Sequence, residues 1–320
     1  MSFNVKHLSA TEPASPSMGV LLEGNGRSLA LQNPILTASG TFGYGLEFTP
    51  FGDLNTLGGI VVKGLSLQPR DGNPMPRLAE TPSGLLNSIG LQNAGAGVFL
   101  RGLLPQLRAY TVPVIANLYA TSTPEFAELA AKLSVEGIAA LEVNISCPNV
   151  KEGGVAFGQD PAMAKAVTEA VVRASTLPVI VKLSPNVTDI AAIAKACEEG
   201  GATALSCINT LRGMAVDVRR RVPHLACGIG GLSGPAIKPV ALRCVWEVSK
   251  AVSIPVIGIG GIATPEDVLE FILVGAHAVQ IGTANFMRPD TAFAMAEALP
   301  GLMKLLGIDD LNSFRGSLRF

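Results

Sequence analysis

Charge is scarce in this 320-residue sequence: Asp, Glu, Lys and Arg make up 15% of it and nearly cancel, leaving a net charge of −1. No basic field therefore invites nucleic acid or an anionic membrane. Histidine is scarcer still, with only His7, His224 and His277. His277 precedes an apolar run, and His224 sits in a loop with no partner at metal-ligand spacing, so no metal centre is expected. The five cysteines, Cys147, Cys197, Cys207, Cys227 and Cys244, form no C-x-x-C pair and are odd in number. That argues against a disulfide framework or zinc knuckle and for a reducing compartment. No apolar run approaches the ~20 residues of a membrane helix. The charge-free apolar stretch 251–265 is broken by Pro255 and several glycines. Residues 1–17 are polar, carry two prolines and lack an apolar segment, so they do not read as a secretory signal. A cytoplasmic protein acting on a small molecule is expected.

What the sequence has in quantity is apolar residues, 48%, and 35 glycines, a mixture that suits an α/β enzyme with buried strands and tight loops. Two short apolar runs flank Asn25-Gly26 and predict a β-hairpin. After it, one unit recurs: a short, often β-branched run, a polar or glycine-rich loop, then a helical stretch. The apolar runs fall at 35–39, 59–63, 113–117, 141–145, 179–183, 204–209, 255–259 and 278–282. Thr123-Pro124, Asp160-Pro161 and Thr264-Pro265 each place an N-cap before a proline and so predict helix starts. Phe126, Leu129, Ala130 and Leu133 then follow at helical spacing, and Gly137, Gly200-Gly201 and Gly275 mark helix ends. Eight apolar strands alternating with helices predict a (β/α)8 TIM barrel over residues 18–320, behind a polar extension at 1–17, with the hairpin plugging the bottom. A doubly wound open sheet is the competing architecture. Two connections, 64–112 and 210–250, are longer than a barrel needs and are expected to carry function.

Active sites on this fold lie at the C-terminal ends of the strands. Those ends carry Lys63, Asn117, Asn144, Lys182, Asn209 and Thr210, and the loop after the second strand adds Asn87-Ser-Ile-Gly-Leu-Gln-Asn93. One asparagine at a strand end is usually a turn former; several on one rim suit a flat heterocycle whose edge alternates N–H and C=O. The last two strands end in Gly260-Gly261 and Gly282-Thr283, where this fold places its phosphate site, and Gly234 brings a third loop to it. Asp and Glu read as confined to helices and loops, on solvated faces. Cys147, at the end of the fourth strand between asparagines, is the one acid–base or nucleophilic candidate on the rim. A lone cysteine beside a strand is more often inert core. A lysine at these positions is otherwise a snorkelling surface residue.

Asn87-Ser-Ile-Gly-Leu-Gln-Asn, Asn144-Ile-Ser-Cys-Pro-Asn, Val181-Lys-Leu-Ser-Pro-Asn and Gly231-Leu-Ser-Gly-Pro together closely resemble the dihydroorotate dehydrogenases, flavin enzymes of pyrimidine biosynthesis. The resemblance implies FMN against Ala38, Ser39, Lys63, Gly64, Asn117, Asn144, Lys182 and Ile208. It puts Gly234, Gly260, Gly261, Gly282 and Thr283 around the phosphate. It implies dihydroorotate held by Lys63, Asn87, Ser88, Ile89, Gly90, Leu91, Asn144, Asn149, Asn209 and Thr210. Cys147 would be the catalytic base, with Lys63 and Lys182 stabilising charge. Gly64 offers no hydroxyl where some relatives have one. A cysteine base marks the soluble class 1 enzymes, and 148–158 resembles class 1B. Class 1B implies a homodimeric core and a partner subunit carrying FAD and a 2Fe–2S cluster that passes electrons to NAD. Alternatives are a fumarate-coupled class 1A enzyme, another FMN-dependent pyrimidine oxidoreductase, or a non-redox phosphate-binding lyase with a Schiff-base lysine.

Overall fold

The computed structural model describes residues 15–146 and 157–320. The chain opens with the hairpin β1 (Val20–Gly24) and β2 (Arg27–Leu31), and then β3 (Ile35–Thr37) and β4 (Gly59–Val61) begin a barrel. It leaves the barrel as β5 (Leu78–Thr81) and β6 (Gly84–Asn87). It returns with β7 (Val114–Leu118), β8 (Ala140–Asn144), β9 (Val179–Leu183) and β10 (Ala204–Cys207). A second excursion holds β11 (Leu211–Met214), β12 (Val216–Asp217), β13 (Val222–Pro223) and β14 (Ile229–Ser233), and β15 (Val256–Ile259) and β16 (Ala278–Ile281) complete the barrel. Its strands close in the order β10-β15-β16-β3-β4-β7-β8-β9, all parallel. The open-sheet alternative is thereby excluded.

Local sequence explains these elements. Asn25 and Gly26 adopt positive φ (51° and 75°), as a tight hairpin turn requires, and this sets the pairing Leu22↔Leu29 and Val20↔Leu31. The helix Pro161–Ala174 is capped by the Asp160 side chain, which accepts from the Met163 N–H. Thr264 and Asp267 form a reciprocal capping box at Pro265–Leu273. The helix Thr123–Leu133 starts one residue earlier than the sequence implied: Ser122, not Thr123, is its cap, because its hydroxyl takes the Glu125 N–H. Its Phe126, Leu129, Ala130 and Leu133 are all buried. Each larger side chain of this set contributes about 1.5–3 kcal/mol by leaving water.

At the lower end, one residue from every barrel strand (Leu36, Val61, Ile115, Ala140, Ile180, Ala204, Ile257 and Ala278) joins Val20, Leu22, Leu29 and Leu31 of the hairpin in one apolar cluster. The hairpin is the plug that the sequence suggested. At the upper end the two long connections meet. β14 pairs antiparallel with β6 through Gly231↔Asn87, Leu232↔Leu86 and Ser233↔Leu85, giving a four-stranded sheet β11-β14-β6-β5 over the barrel mouth. Among the described residues, no helix is long and apolar enough to cross a membrane.

Candidate active site

The barrel mouth holds a cavity of about 640 Å³, in the range of small-molecule and cofactor sites. Strand ends supply its walls: Ala38 and Ser39 after β3, Lys63 and Gly64 after β4, Asn117 from β7, Asn144 from β8, Lys182 from β9, and Ile208, Asn209 and Thr210 after β10. Gly234, Gly260, Gly261, Gly282 and Thr283 line one end, and Asn87, Ser88, Ile89, Gly90 and Leu91 reach in from the roof sheet. Every site residue expected from the sequence that is described lines this one space. Cys147 and Asn149 lie outside the described residues.

The barrel's period of two explains the polar mouth. Ala140, Glu142 and Asn144 alternate with Leu141 and Val143 along β8, so the first three share the barrel interior. Registers Asn117↔Glu142, Asn144↔Lys182 and Ser206↔Lys182 place their partners alongside. Glu142 corrects the expectation that acidic residues stay on solvated faces, since it is fully buried in mid-barrel. One of its oxygens accepts from Ser206 Oγ (2.8 Å) and Gln280 Nε2 (2.6 Å). The other accepts from Asn117 Nδ2 (2.6 Å) and faces Lys182 Nζ at 3.9 Å. A buried charge persists only when paired and hydrogen-bonded, and here four donors converge on it. The signal was available: Glu142 stands two residues before Asn144, on the same strand face.

The asparagines do not all face the cavity with free edges. Asn209 Nδ2 donates to Asn144 Oδ1 (3.1 Å) and to Ser146 Oγ (3.0 Å), while its Oδ1 takes the Thr210 N–H (2.8 Å). Asn87 Nδ2 donates to the Gly231 carbonyl (3.2 Å) across the β6–β14 seam. These bonds fix the amides before any ligand arrives, which is how a binding site avoids ordering its groups on association.

Lys63 is held by its backbone N–H to the Gly43 carbonyl (2.8 Å), and its side chain is half-buried. Burial first, and nearby Arg77 second, lower its pKa below the usual lysine value, against a smaller opposing pull from Glu47. Arg77 also lines the cavity, steadied by Gln92 Oε1 (2.6 Å). Among the described residues, neither cation has an acidic partner within salt-bridge distance. Two such cations on one cavity call for an anionic group on the ligand. Arg77 carries no signal in the sequence, since it lies in a loop seven residues beyond Arg70 with no pattern to single it out.

The glycine end is built by close approach. Gly234, Gly260 and Gly261 have φ of 90°, 130° and 77°. A Cβ on Gly261 would come within 2.8 Å of the Lys238 backbone nitrogen and 2.9 Å of the Gly234 carbonyl oxygen. Only glycine lets these loops meet at the start of the helix Lys238–Ala251, where backbone N–H groups and the helix dipole favour phosphate. Thr283 Oγ1 donates to Ser233 Oγ (2.8 Å) and ties the last loop to the roof.

A flat, phosphate-tailed heterocycle fits this donor set. Asn117 Oδ1 and Ser88 Oγ are buried acceptors without a partner among the described residues, and both residues line the cavity. Such groups are expensive to leave unpaired and so point to a polar ligand, with an N–H donor opposite Asn117 Oδ1. Among the described residues, no three His, Cys, Asp or Glu side chains gather to hold a metal. Three of the described cysteines lie in the core: burial pushes the Cys197 thiol up to about 12 and the Cys207 and Cys244 thiols upward as well. They are inert as nucleophiles.

The family model for dihydroorotate dehydrogenase matches residues 21–303. Relatives named dihydroorotate dehydrogenase B (NAD(+)), catalytic subunit, are similar over nearly their whole length. The protein of Solidesulfovibrio magneticus is 71% identical over 91% of this chain and 96% of its own. That of Maridesulfovibrio salexigens is 64% identical over the same shares. That of Trichlorobacter lovleyi is 57% identical over 91% of this chain and 96% of its own. A parallel eight-stranded barrel with this mouth, matched along most of its length, belongs to the dihydroorotate dehydrogenase family.

Proposed function

We propose that this chain is the FMN-containing catalytic subunit of an NAD-linked dihydroorotate dehydrogenase, oxidising (S)-dihydroorotate to orotate in pyrimidine biosynthesis. The observation that carries the reading is the single cavity uniting the glycine end, the buried Lys182 and the half-buried Lys63. FMN, when bound, supplies the acceptor for the hydride that leaves C6 of the substrate. Gly234, Gly260, Gly261, Gly282 and Thr283 would hold its phosphate, and Ala38, Ser39, Gly64, Asn117, Asn144, Lys182 and Ile208 its ring and ribityl chain. The Lys182 ammonium, itself buried, would stabilise negative charge developing on the ring system.

Lys63, with Arg77 behind it, takes the substrate carboxylate, and the backbone of Ser88 to Leu91 closes over it. Asn87, Asn144, Asn149, Asn209 and Thr210 match the amide and imide edges of the pyrimidine. Cys147 removes the C5 proton as its thiolate, so the two hydrogens leave as a proton and a hydride and the C5–C6 double bond forms. A free thiol has a pKa of about 8.5, so the rate rises with pH as the thiolate forms. Electrons pass onward to NAD through a partner subunit with FAD and a 2Fe–2S cluster. The relatives' designation as catalytic subunits supports such a partner, as does a chain without cysteines spaced for a cluster of its own. A homodimeric core, a polar extension at 1–17 outside a single barrel domain, and a cytoplasmic location complete the reading.

The test is anaerobic mixing of the yellow protein with dihydroorotate while flavin absorbance is followed. Cys147→Ala should retain FMN yet bleach ~10²-fold more slowly or worse, the usual worth of a general base. Bleaching by dihydrouracil in preference to dihydroorotate would instead favour another pyrimidine substrate, and a colourless protein would refute the flavin reading.

A further inference from the structure

Glu142 does not line the mouth cavity, yet two residues that do, Asn117 and Lys182, are held by it. A carboxylate can only accept hydrogen bonds, so an amide beside it must present its NH2. Both amides that reach Glu142 obey this, Asn117 through Nδ2 and Gln280 through Nε2. Their carbonyl oxygens are consequently turned away, and both are buried without a partner among the described residues. For Asn117 that oxygen lies on the side of Gly64, where a Cβ would come within 2.9 Å of it. Gly64 lines the cavity and leaves that side bare.

We propose that Glu142 is a positioning residue that fixes the donor–acceptor sense of the cavity floor. It makes Asn117 an acceptor toward the ligand, beside the Lys182 ammonium, which can only donate, so the floor selects a ring that carries an N–H beside a carbonyl or ring nitrogen, as a flavin does. This rests on the FMN reading above. The division of labour between the two carboxylate oxygens suggests the test. In Glu142→Gln, the new NH2 faces Asn117, which must flip and show a donor to the ligand. In Asn117→Asp, two carboxylates face one another. In the double variant the introduced glutamine amide donates to the introduced carboxylate and so replaces the original bond. Ser206 and Gln280 keep their acceptor, and an oxygen again faces the ligand.

FMN affinity of the apo-proteins is measured by quenching of flavin fluorescence, with thermal melting to check each fold. Each single variant is expected to lose roughly 10-fold or more, the effect of leaving a buried polar group mispaired. The double variant should return most of that loss, a coupling that only interacting groups show. Additive losses in the double variant, or wild-type affinity in either single, overturn the proposal. If Glu142→Gln does not fold, Asn117→Asp and the double variant decide alone, and equal affinities sink it. Wild-type protein that binds no FMN overturns the flavin reading first, and this inference with it.

Discussion

The two ends of the barrel are made from the same eight strands and differ in nearly everything else. At the bottom, one side chain per strand packs on the hairpin to make a dry apolar layer. At the mouth, the next inward positions of the same strands carry Asn117, Glu142, Lys182, Ser206 and Gln280, tied to one another through Glu142, with the Asn117 and Gln280 carbonyl oxygens left unpaired among the described residues. The lower rung stabilises by burying apolar groups alone; the upper rungs accept polar groups at a penalty that hydrogen bonds offset only in part. Stability and chemistry are thus separated along the barrel axis, as this architecture allows. Mutations at the bottom should therefore leave the chemistry of the mouth intact.

The largest expected effect is at the mouth. Lys182→Met should slow flavin bleaching by dihydroorotate by ~10²–10³-fold, in line with loss of one preorganised charge donor. Its melting temperature should fall as well, because the change strips buried Glu142 of its one cationic neighbour among the described residues, and an unchanged melting temperature would show that the hydrogen bonds to Glu142 suffice alone. Next comes the bottom. Leu22, 1% exposed in the plug, changed to Ala should lose about 3 kcal/mol of unfolding free energy in denaturant titration. The bleaching rate of the folded fraction should not move.

A third effect sits below the barrel in the acid limb of stability. Burial, aided by Arg315, lowers the pKa of His277 from 6.5 to about 4. Between these values the unfolded chain takes up a proton that the folded chain refuses, so stability falls as pH drops through the window. The contribution is on the order of 2 kcal/mol across the window. His277→Gln should flatten that part of the curve; an unchanged slope would place the pH sensitivity elsewhere. The smallest effect concerns Lys63, whose lowered pKa means that its charge is lost at a lower pH than for an ordinary lysine. Orotate affinity should therefore weaken as pH rises, earlier than an ordinary lysine would lose its charge, and Lys63→Arg, charged throughout, should show a flatter profile.

The bottom and the strand ends were legible in the sequence because both rest on local rules. Asn25-Gly26 dictates a hairpin turn, proline after a cap starts a helix, and apolar runs of strand length mark the barrel. Two features escaped for a shared reason, which is that they depend on pairing between distant segments. The roof sheet joins residues 85–87 to 231–233, and nothing in either stretch alone names the other. Glu142 in isolation is one charge in a strand; its donors come from β7, β9, β10 and β16 and become visible only once the barrel closes. Strand limits shifted by a residue or two for a simpler cause: Ile208 and Asn209, the last predicted residues of the run that became β10, lie past the strand's end, where their N–H groups still donate to the Ile259 and Leu183 carbonyls while they line the mouth.

The seam between β6 and β14 carries an evolutionary consequence. A Cβ on Gly230 would come within 2.6 Å of the Asn87 carbonyl oxygen, one on Gly84 within 2.7 Å of the Ser233 carbonyl oxygen, and Asn87 leans on the Gly231 carbonyl, so the two excursions from the barrel are fitted to each other residue by residue. They must therefore be inherited as a matched set. A chimera that imports either excursion from a distant homologue without its counterpart would arrive with an ill-fitting roof, however well the barrel beneath it folds.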